Sequence, residues 1–344
     1  MNKHTKYDLA QMQSLPLEVK IRMTEQRIRE WYDHWDGQVY VSFSGGKDST
    51  VLLHIVRSMY PDVEAVFVNT GLEYPEIQKF VMSFDNVTIL RPKMRFDEVI
   101  KTYGYPVISK DVSRKVGYYR KGAKWAQKFV EGTSLDAHGN KSRYCITKWK
   151  PLAEADFLVT DSCCAIMKKS PTKDYAKKSG KKPMTAVIAE ESLLREQQWI
   201  KKGCNAFDAK RPISNPMAFW TEQDILHYIK QHNLPIASVY GEVVYKDNPD
   251  QMRIDDFGFE CKSKLATTGC DRTGCIFCGF GCHLEKEPSR FQRLKETHPK
   301  QYAYCIGGGA YDEDGLWKPS KEGLGLGHVF DELNKIYGDG FIKY

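Results

Sequence analysis

Between residues 18 and 35 the apolar side chains recur at helical spacing. Ile21, Ile28, Trp31 and Tyr32 share one face and Glu, Lys and Arg fill the other, so an amphipathic helix is predicted, ended by Gly37. Val39-Tyr40-Val41-Ser42-Phe43 then predicts a short buried strand. After the loop 44–49, a helix is expected from about Thr50 to Met59, stopped by Pro61. Ala65-Val66-Phe67-Val68-Asn69 predicts a second strand that turns at Thr70-Gly71. A helix over 76–83 leads to a third strand, Val87-Thr88-Ile89-Leu90. Strands and helices alternating at this spacing make right-handed crossovers, so the fold class is α/β with a doubly wound parallel sheet.

The alternation breaks at residues 104–150, which are basic and aromatic, with a helix expected near 111–129 and a turn at His138-Gly139-Asn140. This stretch reads as a helical insertion beside the sheet, with Trp125 and Phe129, four apart on the helix, expected in the core. Met184-Thr185-Ala186-Val187-Ile188-Ala189 restores the strand pattern, and Thr221-x-x-Asp224 has the spacing that caps a helix running to about Gln231. Beyond Tyr240 the chain is rich in Gly and Cys, and the glycines at 307–309 and 323–327 read as loops. The expected organisation is an N-terminal helical segment (1–36), a nucleotide-binding α/β domain (37–240, insertion about 104–150) and a small Cys-rich C-terminal region (241–344).

Composition adds limits. The 344 residues are 41% hydrophobic, enough for one large core or a main domain with an appendage. No run approaches the roughly 18–20 apolar residues of a membrane span, and Met1 to Tyr7 is polar with no apolar run behind it. A cytoplasmic protein with no membrane partner is expected, and in a reducing compartment its 10 cysteines read as metal ligands or redox groups before disulfides. The net charge of +7 is uneven: residues 110–150 hold 11 Lys/Arg against 3 Asp/Glu, and 168–182 hold 7 Lys against 1 Asp. Either these are solvated faces or they meet a polyanion.

The chemistry starts at Ser44-Gly45-Gly46-Lys47-Asp48-Ser49, set between a strand and a helix. Glycines let the backbone approach a phosphate, the first helical N–H groups and the helix dipole favour its charge, and Lys47, Ser44 and Ser49 add a cation and hydroxyls. It is not a Walker A loop, because no glycine stands five residues before the Gly-Lys pair and Asp48 follows the lysine. Ser-Gly-Gly-Lys-Asp-Ser resembles the signature of the PP-loop ATP pyrophosphatases, and the surrounding chain resembles their PAPS-reductase-like (phosphoadenosine phosphosulfate reductase) branch. The resemblance implies an adenine nucleotide alpha hydrolase-like fold. Asn69-Thr70-Gly71-Leu72-Glu73-Tyr74-Pro75-Glu76 is similar to that branch's second motif, which implies that Asn69, Thr70 and Glu73 lie near base and ribose. Ala189-Glu190-Glu191-Ser192-x-x-Arg195 is similar to a third, implying nucleotide contacts from Glu191 and Ser192 and an arginine that reaches the anionic groups. The likeness spans about residues 37–285.

Cys163-Cys164 before that third motif and Cys275-x-x-Cys278 after it resemble the iron–sulfur sulfonucleotide reductases, which implies a [4Fe-4S] cluster on four thiolates. Cys270, Cys275, Cys278 and Cys282 also lie close enough in sequence for a local Zn2+ knuckle, and a metal-free region is a third reading. Cys145, Cys204, Cys261 and Cys305 are isolated and read as small apolar residues. The reductases resembled here use a cysteine near the C-terminus, whereas this sequence has none after Cys305. The retained Lys47 and Asp48 instead imply ATP cleavage between the α- and β-phosphates, with Asp48 on Mg2+, Arg195 on the leaving group and sulfur as the incoming nucleophile. Partners on this reading are an adenine nucleotide, a nucleic acid (tRNA or DNA) or other anionic acceptor, and a sulfur-donor protein. The alternatives are a sulfonucleotide reductase using an unusual cysteine, and a nucleotide-regulated nucleic-acid-binding protein with a zinc knuckle.

Overall fold

The computed structural model of the chain describes residues 2–246 and 264–344, so Cys261 lies outside the described residues. Two compact units interleave along the sequence. One holds Met1–Asn69, Glu73–Leu90 and Thr172–Thr273, and the other holds Thr70–Leu72, Arg91–Pro171 and Gly274–Tyr344. Among the described residues no helix is long and apolar enough to cross a membrane.

The first unit is built on a six-stranded sheet. Its spatial order is Val87–Leu90, Ala65–Val68, Val39–Ser42, Lys182–Met184, Ile213–Ser214, Asn205–Ala206. All neighbours are parallel except the last pair. Val39, Tyr40 and Val41 are all buried, as are Ala65, Val66 and Phe67, the unbroken apolar run of strands covered on both faces. From Val39–Ser42 the chain winds outward in one direction through 65–68 and 87–90, and in the other through 182–184 and 213–214. That reversal makes the end of Val39–Ser42 a topological switch point, where a doubly wound sheet opens a crevice.

The helix Leu17–His34 covers the expected span and buries Ile28 and Trp31, but its inward stripe also holds Lys20 and Thr24. Both are satisfied: Lys20 Nζ donates to Asp224 and to the Gln13 carbonyl, each at 2.6 Å, and Thr24 Oγ1 accepts from Trp220 Nε1 at 2.9 Å. The Thr221 cap forms as predicted, with Asp224 closing a capping box at the start of Glu222–Gln231. Other elements differ. A further helix, Lys6–Gln13, precedes the first predicted one. The expected strand 184–189 is a ladder only over Lys182–Met184, which pairs with Val39–Val41 and meets the other neighbour only at Met184 and Ser214. The helix after the loop begins at Lys47 rather than near Thr50.

In the second unit the expected helix over 111–129 is two helices, Lys110–Arg120 and Lys124–Val130, broken at Gly122, whose φ of +74° suits a left-handed turn. Ala126 and Val130 are the buried positions of the second helix, so Trp125 points outward with 42% of its surface exposed, contrary to its expected place in the core. Val107–Ile108 pairs in parallel with Gly279–Phe280, which brings the start of the insertion beside the Cys-x-x-Cys segment. The glycine run at 323–327, expected as a loop, opens the helix Leu326–Tyr337, with Gly325 as its left-handed N-cap.

Candidate functional site

The 44–49 loop leaves the strand Val39–Ser42 and enters the helix Lys47–Met59, whose N-cap is Gly46. Lys47 and Asp48 therefore occupy the first helical turn, where unpaired N–H groups and the dipole gather. Gly45 has φ +72°, and a Cβ there would stand 2.6 Å from Val81 Cγ2 and 2.9 Å from Ile77 Cγ2. The helix Pro75–Met82 thus presses on the back of the loop, and only glycine fits. Ser49 closes the turn from within: its hydroxyl lies 3.1 Å from Ser44 Oγ and donates to the Gly46 carbonyl at 2.9 Å. Tyr240 braces the other side, its hydroxyl accepting from Lys47 N–H at 3.4 Å and lying 2.6 Å from Thr273 Oγ1.

Around this loop the first unit gathers alternating charge. Lys47 is buried and its ammonium meets Glu222 Oε1 at 2.5 Å. Glu222 is held in turn, its backbone N–H donating to Glu190 Oε2 at 2.7 Å. Glu191 pairs with both Arg195 and Arg272. Ser192 caps the helix Leu193–Lys202, accepting from Arg195 N–H, so its hydroxyl serves the backbone. Asp48 lies within electrostatic reach of Lys47, Arg272 and Arg195, yet desolvation outweighs their pull and pushes its carboxyl above the usual range. Desolvation lowers the Arg195 pKa, with the nearby Arg272 charge adding to it. Arg195 also lines a cleft with Ala189, Gln198, Lys202, Ile213 and Asn215. Of the second-motif residues, Asn69 and Glu73 belong to this unit and Thr70 to the other. Asn69 N–H donates to Leu90 O at 2.9 Å, and Thr70 Oγ1 accepts from Leu72 N–H at 3.2 Å.

Four of the sequence's cysteines meet in the second unit. Cys163, Cys164, Cys275 and Cys278 line one pocket with Leu72, Phe96, Pro106, Met167 and Lys168. The Cys163 thiol shares a hydrogen bond with Cys164, which together with Lys110 and Lys168 pulls the Cys164 pKa down. The same bond, burial and the neighbouring thiols push Cys163 up. Among the described residues no three or more His, Cys, Asp or Glu stand in an arrangement that could hold a metal ion. The pocket does supply the donor chemistry of a thiolate-bound centre: four sulfurs, apolar walls, and cations at Lys110, Lys168 and Arg290 to offset the charge.

Of the four cysteines in the zinc-knuckle reading, only Cys275 and Cys278 line that pocket. Cys270 belongs to the first unit, and Cys282 donates to the Gly279 carbonyl at 3.0 Å, its pKa pushed up to about 12 by burial. Cys204 and Cys305 are buried and Cys145 is half-buried, consistent with small packed residues. Sequence reasoning missed Arg272, Glu222 and Tyr240. Arg272 carried a signal, standing just before Gly274-Cys275, but nothing in the sequence pairs Glu222 with Lys47.

Comparison with known proteins follows the same residues. A sequence profile described as the phosphoadenosine phosphosulfate reductase domain matches residues 38–279. An uncharacterized protein of Methanocaldococcus jannaschii is 23% identical over 308 residues, covering 85% of this chain and 54% of the relative, so the chain spans about half that relative's length. An adenosine 5'-phosphosulfate reductase of Staphylococcus haemolyticus is 22% identical, over 62% of this chain and 70% of the relative. A phosphoadenosine 5'-phosphosulfate reductase of Xanthomonas euvesicatoria is 24% identical, over 61% and 69%. Among solved structures, a phosphoadenylyl-sulfate reductase from Candida auris in phosphate complex is 13% identical, covering 73% of this chain and 96% of that one with a TM-score of 0.35. The fold assignment rests on the sheet order and not on that likeness.

Proposed function

The chain belongs to the phosphoadenosine phosphosulfate reductase domain family, and from that premise we propose that it is an adenine-nucleotide enzyme that cleaves ATP between the α- and β-phosphates and hands the adenylylated acceptor to sulfur. The observation that carries the reading is Asp48 in the first turn of the loop helix, among Lys47, Arg195 and Arg272. An acid inside an anion cradle repels a bare sulfonucleotide. It suits a triphosphate whose charge is bridged by a divalent cation, since Mg2+ is held by one or two carboxylates plus phosphate oxygens. Asp48 would hold that ion, which supplies charge neutralisation on the leaving pyrophosphate.

In the proposed step an acceptor oxygen forms a bond to the α-phosphorus, and the bond to the bridging oxygen breaks with its electron pair leaving on pyrophosphate. Lys47 and the loop N–H groups stabilise the charge that develops, and Arg195 and Arg272 shift from Glu191 toward the departing phosphates. A sulfur nucleophile then displaces AMP from the acceptor. Cys163, Cys164, Cys275 and Cys278 would hold a [4Fe-4S] cluster, which supplies binding or delivery of sulfur when present. The acceptor is an anionic substrate such as tRNA or DNA, and the sulfur comes from a donor protein.

A second reading is a sulfonucleotide reductase, favoured by the reductase names of the Staphylococcus and Xanthomonas relatives. Competition titrations with ATP, adenosine 5'-phosphosulfate and its 3'-phosphorylated form, each with and without Mg2+, separate the two. Tighter binding of ATP that depends on Mg2+ is expected; a Mg2+-independent preference for a sulfonucleotide supports the reductase. Because Glu222 competes with an incoming phosphate for Lys47, Glu222→Gln is expected to tighten ATP binding by about two- to fivefold, the scale of a partly exposed ion pair. Calorimetric titration checks it, and weaker binding in the variant would show that Glu222 helps hold the ligand instead.

A further inference from the structure

The insertion of the second unit presents aromatic rings where a folded chain usually hides them. Tyr118, Trp125 and Tyr144 are 47%, 42% and 56% exposed. The Tyr118 and Trp125 rings tilt against each other at 5.2 Å, and Phe129 follows Trp125 at 6.4 Å. Each exposed ring has a cation over it: Arg114 at 6.0 Å from Trp125, Lys121 at 6.0 Å from Tyr118 and Arg143 at 4.9 Å from Tyr144.

The basic surplus of this stretch divides into two kinds. Lys115 is buried against Asp111 and the Tyr144 carbonyl, at 2.6 and 2.8 Å, and Arg120 donates to the carbonyls of Ala155 and Phe157 at 3.1 and 2.6 Å. These two hold the insertion together. Lys121, Lys124, Lys128 and Arg143 are exposed, and none forms an ion pair with a carboxylate among the described residues. A solvated basic face needs no exposed tryptophan. Here the helix Lys124–Val130 buries Ala126 and Val130 and leaves its largest side chain outside.

We propose that this face binds a single-stranded nucleic acid, with unpaired bases stacked on Tyr118 and Trp125 and phosphates met by Lys121, Lys124 and Lys128. Stacking on aromatic rings needs an open base face, which a duplex keeps inside its own stack, whereas the cations serve either form. The proposal deepens the acceptor half of the reading above and stands apart from its nucleotide chemistry.

The test is fluorescence anisotropy of the full chain with a labelled oligothymidylate, an oligouridylate, a duplex of equal length and heparin as a base-free polyanion, across several salt concentrations. Single strands are expected to bind with steep salt dependence and at least about tenfold more tightly than the duplex. Trp125→Ala is expected to weaken single-strand binding about tenfold with the salt slope unchanged. Lys121→Glu with Lys124→Glu is expected to flatten that slope by about 1.4 or more. ATP binding measured on the same variants reports that they are folded, and it separates failure here from failure of the nucleotide reading. A preference for the uracil or the thymine strand identifies which nucleic acid is carried, and either supports the proposal. No binding at low salt overturns it, as does binding in which duplex and heparin match the single strand and Trp125→Ala changes nothing.

Discussion

Lys47→Ala is expected to weaken ATP binding at least about tenfold, since a charge-assisted contact to phosphate contributes roughly 1.5–3 kcal/mol. Turnover should fall further, by about a hundred- to a thousandfold, because the ammonium also meets charge that develops only in the transition state. The ground for separating the two effects is structural. Lys47 is buried in the first turn of the helix Lys47–Met59, and its partner Glu222 keeps half of its side chain in solvent. Removing the lysine therefore leaves Glu222 in contact with solvent, and Asp48 keeps Arg195 and Arg272 within reach, so the fold should survive. Equilibrium dialysis for affinity and single-turnover quenching for rate check the two halves. An unchanged dissociation constant in a folded variant refutes the loop as the phosphate site.

Cys275→Ser should be all-or-none in its effect on metal content. Protein purified without oxygen is expected to carry about four iron atoms and as many acid-labile sulfides per chain. The serine variant should lose them, since a hard hydroxyl is a far poorer ligand to cluster iron than a soft thiolate. Cys270→Ser and Cys282→Ser should keep the iron: neither lines the pocket, and the Cys282 thiol is already committed to the Gly279 carbonyl. Cys204→Ser is a further control, from a buried thiol of the other unit. One equivalent of zinc, lost on substituting Cys270 or Cys282, would instead establish the knuckle.

The legible parts of this chain were those fixed by local pattern. The apolar runs 39–41 and 65–68 announce buried parallel strands, and the glycines with Ser44, Lys47 and Ser49 mark the loop between strand and helix at the switch point of the sheet. The helix start is expected too late because Lys47 and Asp48 look like loop residues, whereas they occupy the first helical turn. The insertion misled for a related reason. Trp125 and Phe129 sit four apart, the spacing of a core face, but the break at Gly122 turns the second helix so that Ala126 and Val130 face inward. Counting charge groups Arg120 with cations that are either solvated or facing a polyanion, whereas its guanidinium clamps two backbone carbonyls. Reversing that charge would damage the fold and say nothing of binding. Arg272 and Glu222 reach the loop only through tertiary packing, which no periodicity encodes. The four cysteines were found through resemblance, and the parallel pairing of Val107–Ile108 with Gly279–Phe280 shows how the fold draws the Cys-x-x-Cys segment toward the insertion.

The central claim is that ATP is cut between its α- and β-phosphates. Incubating the anaerobically prepared protein with ATP labelled at the α-phosphate, Mg2+ and short single-stranded RNA or DNA, and following the label together with released pyrophosphate, tests it directly. The account predicts pyrophosphate in step with labelled AMP or a labelled acceptor, and loss of both in Lys47→Ala. Intact ATP, together with sulfite released from adenosine 5'-phosphosulfate or its 3'-phosphorylated form in the presence of a dithiol, would contradict it.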